Sequence, residues 1–150
     1  MKKINLLLIA ISSVLLFSCE EDDGTSFVRE DYLLGKWNVT QVGELSPQNI
    51  VNYTDYQSCN ANDPDNLIFD ESNSYTESNF KLIDSECKNE VISGTYNRNS
   101  NNFTVTYIKD ENTLQHIKKI LSLTYEEMEI TYTDTITDKI IFKKLTKATE

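Results

Sequence analysis

Leu33-Leu34-Gly35-Lys36-Trp37-Asn38-Val39-Thr40 is the stretch whose reading decides the fold. It opens the first strand-like run, holds the only tryptophan, and sets a glycine two residues before it. Successive side chains of an extended chain point to opposite faces, so Trp37 and Val39 share one side and Asn38 and Thr40 the other. That alternation predicts a half-buried strand. We expect it to be the first strand of a small antiparallel barrel, with Gly35 letting the chain cross close beneath and Trp37 plugging that end.

Working outward, the period of two continues through most of the chain. Leu67 and Phe69 alternate with Ile68 and Asp70. Tyr75 to Ile83 reads as a strand whose apolar positions change parity, from Tyr75 to Phe80 and Leu82, which predicts a bulge near Glu77-Ser78. A loop is expected over 84–89. Ile92, Gly94 and Tyr96 then share a face, as do Phe103, Val105 and Tyr107, and in the next run Ile117, Leu121 and Leu123. Met128, Ile130 and Tyr132 oppose Glu127, Glu129 and Thr131, and Ile140 and Phe142 mark the last strand. Before the tryptophan, 27–34 reads as one helical turn. Residues 43–64, with Pro47 and Pro64, read as a long irregular connection of the kind that forms a lid or a contact loop.

Eight strands joined mostly by short turns make a meander of antiparallel neighbours. Closing it removes exposed edges and leaves an interior that holds side chains or one small ligand. The predicted fold class is therefore all-β, an eight-stranded antiparallel up-and-down barrel. The alternative, a β-sandwich, would need longer crossovers.

Composition narrows the function. The 150 residues carry 14 Lys+Arg against 24 Asp+Glu, a net charge of -10. Nucleic-acid binding needs a basic stripe, and the lysines here are scattered. Four glycines make no phosphate loop. His116, the single histidine, has no placed serine or cysteine partner and forms no triad. Glu126-Glu127 and Asp110-Glu111 fall in turns, with nothing apolar beside them to raise a carboxyl pKa. Asn60, Asn62, Asp63, Asp65 and Asn66 are rich in oxygen but match no calcium-loop spacing, and turn chemistry explains them. These readings predict no enzyme, no cofactor and no metal.

The N-terminus reads as an address. Met1-Lys2-Lys3 is basic, Ile4 to Phe17 is apolar but for three residues, and the chain then turns acidic at Glu20-Glu21-Asp22-Asp23. Such a run is a secretory signal, being shorter than the roughly 20 residues a spanning helix needs. Leu16-Phe17-Ser18-Cys19 resembles the lipobox of bacterial lipoproteins, which implies a signal peptide over 1–18 and acylation of Cys19. The alternative is an ordinary signal peptide with a chance cysteine. Residues 19–32 then form an acylated, acidic tether. Its acidic run resembles the signal that exports lipoproteins to the outer face of the outer membrane in one group of Gram-negative bacteria. A solvated tether would look the same.

Several residues together resemble the lipocalin-like domain family of bacterial lipoproteins. They are Leu34-Gly35-Lys36-Trp37, Cys59 with Asp63, Asp65 and Phe69, Cys87, Gly94-Thr95-Tyr96, Leu121-Ser122-Leu123 and Met128-Glu129-Ile130. The resemblance covers about 33–145 and places one barrel domain over 33–147. It implies that a late basic residue, Lys143 or Lys144, packs over Trp37 by a cation–π contact worth about 0.5–2 kcal/mol.

With Cys19 acylated, Cys59 and Cys87 remain in an oxidising compartment, where a disulfide is expected and a metal site is the alternative. Closing that loop of about 29 residues contributes roughly 3–4 kcal/mol in the chain-entropy picture. The expected function is a monomeric, surface-facing lipoprotein that binds a small apolar or amphiphilic molecule, with Tyr75, Tyr96, Tyr107 and Tyr132 lining the cup. The second reading is a filled barrel that contacts a protein or glycan through the 43–64 loop. Asp134-Thr135-Ile136 resembles a short bacterial O-glycosylation sequon in an expected turn.

Overall fold

The computed structural model describes residues 31–135 and 137–149; the expected signal peptide, Cys19 and the tether through residue 30 lie outside them. Nine strands follow in order: β1 (Gly35–Leu45), β2 (Val51–Asp55), β3 (Asn66–Phe69), β4 (Ser74–Ile83), β5 (Glu86–Asn99), β6 (Asn102–Lys109), β7 (Asn112–Leu123), β8 (Glu127–Thr133) and β9 (Ile140–Lys147). From β3 onward each strand pairs with the next, and β9 returns to pair with β1. Eight antiparallel strands, β1 and β3–β9, thus close a barrel, and β2 adds a ninth beside the far half of β1.

β1 changes partner midway. Gly35–Asn38 pair with β3, whereas Gln41–Leu45 pair with β2. The switch occurs at a bulge between Val39 and Gln41, where the Val39 N–H donates to Asp65 O and the Tyr56 N–H to Thr40 O. A second bulge lies between Ile120 and Ser122. Tight hairpins need positive φ at both central residues. Asp84-Ser85 (53° and 67°) and Asp110-Glu111 (50° and 65°) supply it without glycine.

The structure corrects four expectations about strands and turns. Residues 43–64 are not one irregular connection: Gly43–Leu45 finish β1 and Val51–Asp55 form β2, so the irregular parts are 46–50 and the β2–β3 connection over 56–65. The 84–89 loop is a two-residue turn. β4 has no bulge at Glu77-Ser78; its register against both neighbours is unbroken. Glu77 simply keeps the inward parity of Tyr75, and Leu82 is 68% exposed. In β7 the inward residues are Lys118 and Ile120, with His116 partly buried on the same face, while Ile117 is 66% exposed.

At the closed end, Leu33, Trp37, Leu67, Phe69, Phe103, Met128 and Leu145 are all buried. Phe69 stands at the centre, edge-on to Tyr75, Tyr96 and Phe103 at centroid distances of 5.4, 5.1 and 5.2 Å. Edge-to-face pairs of this kind add to what area burial alone supplies. The Trp37 indole N–H donates to Leu33 O at 2.8 Å, so its polar atom is satisfied inside the floor. Lys147 crosses above it, Nζ 5.3 Å from the ring centroid. This corrects the expectation for Lys143 and Lys144. Lys143 points into the barrel, and Lys144 lies outside it over the Tyr53 ring. Gly35 has φ 111°, and a Cβ there would meet the Lys147 Cε at 3.0 Å. Its missing side chain therefore makes room for the lysine stem as well as the turn of the backbone.

Candidate ligand-binding site

Above the aromatic floor the interior changes character. Glu77 on β4, Lys118 on β7 and Lys143 on β9 all point inward and are buried, Lys118 to 2% exposure. Strand alternation puts them there: Glu77 is two residues beyond Tyr75, Lys118 two before Ile120 and Lys143 two before Leu145, all three of which belong to the core. Lys118 Nζ donates to Glu77 Oε2 at 2.7 Å and to the Tyr75 hydroxyl at 3.1 Å. The Tyr75 hydroxyl donates in turn to Glu77 Oε2 at 2.8 Å. Lys143 Nζ stays 3.8 Å from Glu77 Oε1. Tyr132 offers its ring to both ammoniums, at 4.7 Å from Lys118 and 5.7 Å from Lys143.

Burial alone would raise the Glu77 carboxyl, but the facing charges of Lys118 and Lys143 outweigh it and bring it down to about 2. The two lysines respond in opposite directions. Burial dominates at Lys118 and lowers it. At Lys143 burial is outweighed by Tyr132 and Glu77, and its ammonium is raised. Taking such ions out of water costs several kcal/mol each, and a buried ion pair is weak evidence for stability. A barrel held together only by packing would carry apolar residues here.

The second buried carboxylate, Asp65, lies just before β3 and is satisfied separately. It accepts from the Tyr56 hydroxyl at 2.6 Å, the Phe80 N–H at 2.8 Å and the Ser58 hydroxyl at 3.4 Å. Asp65 thereby joins the β2–β3 connection to the edge of β4. A disulfide between Cys59 and Cys87 fastens the same connection to β5, with Cα atoms 5.7 Å apart. Around the open end, Val42, Tyr56 and Ile92 are half-buried and pack against the core. The face of the β1–β2 hairpin that carries Val42 holds an open groove of about 520 Å³, lined also by Glu44, Leu45, Pro47, Asn52 and Thr54. Val42 pairs with Lys143, so this groove begins one strand from the buried ammonium. A second groove, about 410 Å³, opens on the outer wall beside the bulges, among Thr40, Gln41, Asp55, Ser122, Glu129 and Lys144.

The four tyrosines expected to line a cup are dispersed. Tyr75 and Tyr132 flank the buried charges. Tyr96 belongs to the floor, where its hydroxyl donates to Asp70 O at 3.3 Å. Tyr107 faces His116, hydroxyl to Nε2 at 3.4 Å. Burial and the neighbouring Lys118 lower the His116 imidazole. Asn60, Asn62, Asp63 and Asn66 serve the turn: Asn66 Nδ2 donates to Pro64 O and Asp63 pairs with Lys36. Among the described residues no three His, Cys, Asp or Glu side chains gather as a metal site. Thr135 is exposed after β8, and Ile136 of the same triplet lies outside the described residues.

Sequence reasoning missed Glu77, Lys118 and Lys143 as one site. The available signal was parity: counted in twos from Tyr75, Ile120 and Leu145, all three positions fall inside.

A family model described as a lipocalin-like domain matches residues 33–130. Among solved structures, an uncharacterized protein from Bacteroides eggerthii DSM 20697 superposes with a TM-score of 0.50 at 14% identity, over 77% of this chain and 99% of that one. Bovine odorant-binding protein in complex with a selenium-containing odorant gives 0.47 at 18% identity, over 79% and 74%. Aphrodisin, a sex pheromone from the female hamster, gives 0.41 at 10% identity, over 79% and 76%. The first of these is a likeness of fold. No curated protein matches the sequence.

Proposed function

Because this chain belongs to the lipocalin-like domain family, we propose that its barrel binds one small amphiphilic molecule at the end opposite Trp37. The observation that carries this is the division of the interior, with an aromatic floor below and a buried Glu77–Lys118–Lys143 cluster above. Ligand sites are mostly apolar concavities with a few converging polar groups, and the open end has both. Val42, Tyr56 and Ile92 supply half-buried apolar surface, and the groove along β1 and β2 extends it. The polar part of the molecule would point down toward Tyr132 and the lysines.

The test is calorimetric titration with straight-chain amphiphiles of eight to twelve carbons. One-to-one binding is expected, and Ile92→Trp, which fills the open end, should abolish it without loss of folding. A panel in which nothing binds contradicts the reading.

The same protein is proposed to be exported and held at the outer membrane through acylated Cys19, facing outward, with the barrel acting as a monomer. Radiolabelled palmitate should enter the wild-type protein and not Cys19→Ala. Protease applied to whole cells should remove it, and a protected protein would place it on the inner face.

A further inference from the structure

We infer that the molecule held in the barrel carries an anionic head group and that Lys143 receives it. This rests on the binding reading above and specifies its chemistry. The inference comes from how the cluster shares its contacts. One carboxylate faces two ammoniums, and the sharing is unequal. Lys118 takes the short contacts, 2.7 Å to Glu77 and 3.1 Å to the Tyr75 hydroxyl. Lys143, on the opposite wall, remains 3.8 Å from Glu77, beyond hydrogen-bond length. Its other close neighbour is Tyr132, which shares a side-chain hydrogen bond with it and whose ring lies 5.7 Å from Nζ. It is 8% exposed, so water does little to compensate its charge.

Asp65 does not close the gap. It acts on Lys143 at longer range, but its oxygens already accept from Tyr56, Ser58 and the Phe80 N–H. An ammonium has three protons to donate, and Tyr132 engages one of them. An anionic oxygen arriving from the open end would find the others beside that tyrosine, in surroundings where a charge-assisted bond is about twice as strong as a neutral one.

The position along the barrel agrees. Lys118 and Tyr75 are the deepest members, directly above the floor. Lys143 pairs with Val42, which opens onto the groove of the β1–β2 hairpin. A head group that descends past Val42 and Ile92 therefore meets Lys143 before Lys118. Glu77, held by Lys118 and Tyr75, would remain the counter-charge beneath it. A cationic head would instead meet Lys143 first and be repelled.

The experiment compares three ten-carbon probes, decanoate, decanol and decylammonium, on the purified full chain carrying Cys19→Ser so that no acyl chain competes. Decanoate is expected to bind at least tenfold more tightly than decanol, and decylammonium more weakly than either. Lys143→Met should bring decanoate and decanol within twofold of each other, decanoate losing the more affinity. Lys143→Arg, which keeps the charge, should keep the preference, and the near-ultraviolet signal of Trp37 reports whether each variant is folded. If Lys143→Met does not fold, the wild-type ranking and Lys143→Arg decide. Equal binding of decanoate and decanol, or a preference that survives Lys143→Met, overturns the anionic assignment and leaves amphiphile binding standing. If none of the three probes binds, both fall.

Discussion

The two halves of the barrel interior are built on opposite principles. Around Trp37 and Phe69 the residues are apolar, close-packed and satisfied, down to the indole N–H on Leu33 O. One layer higher, Glu77, Lys118 and Lys143 stand in the same barrel at nearly the same burial. The lower half stabilises the fold by removing apolar area from water, about 25 cal/mol per Å². The upper half works against that, since its charges lose hydration and recover it only through one another. The contrast teaches where to look for function: in the layer whose composition stability does not explain.

The largest expected effect lies in the floor. Trp37→Ala removes a fully buried aromatic and should destabilise the domain by about 3–5 kcal/mol in denaturant unfolding. Removing one charge of the upper layer should cost nearly as much. Glu77→Gln strands two buried ammoniums, at about 3–4 kcal/mol, whereas Glu77→Leu with Lys118→Met and Lys143→Met should be neutral or more stable by about 1–4 kcal/mol. A triple variant that unfolds would show that the cluster does hold the barrel, and the contrast between the layers would fail.

Acid should separate the halves further. The Glu77 carboxyl titrates at about 2 in the folded chain against 4.5 in the unfolded one. The folded state therefore binds fewer protons, and the stabilisation is complete above pH 4.5 and lost as pH falls toward 2. It amounts to about 3 kcal/mol. Denaturant midpoints from pH 6 to 2 should show this decline in the wild type and a smaller one in Glu77→Gln. At the rim, replacing Cys59 and Cys87 by serine should cost about 3 kcal/mol by freeing the loop that the disulfide closes. The smallest effect is expected at Lys147→Ala, about 0.5–1 kcal/mol, because its contact with Trp37 is at a half-exposed site.

The lower half was legible in the sequence and the upper half was not, for one physical reason. Alternation reveals a strand's inner face only when the inner residues are apolar. Phe103, Val105 and Tyr107 obey that rule, and all three are buried along β6 as their alternation predicts. β4 and β7 violate it. Their inward positions include Glu77 and Lys118, while Leu82 and Ile117 face water, so in the alternation a buried charge looks like a bulge and an outer face like an inner one. The disulfide followed from compartment and cysteine count. β2 did not, because its alternation is only two residues long, Val51 and Tyr53 against Asn52 and Thr54: the strand lies beside β1, outside the ring, and only half-buries those two. Lys147 over Trp37 depends on how far β9 runs past the barrel floor, which the register against β1 determines and the pattern of lysines does not.

The most direct test of the account is a two-dimensional amide spectrum of the protein during titration with decanoate. The account predicts progressive shifts at Val42, Ile92, His116, Tyr132 and Lys143, with the Trp37 indole N–H unmoved. Shifts confined to Gln41, Ser122 and Glu129 on the outer wall, or an indole that moves while the upper layer stays still, would contradict it.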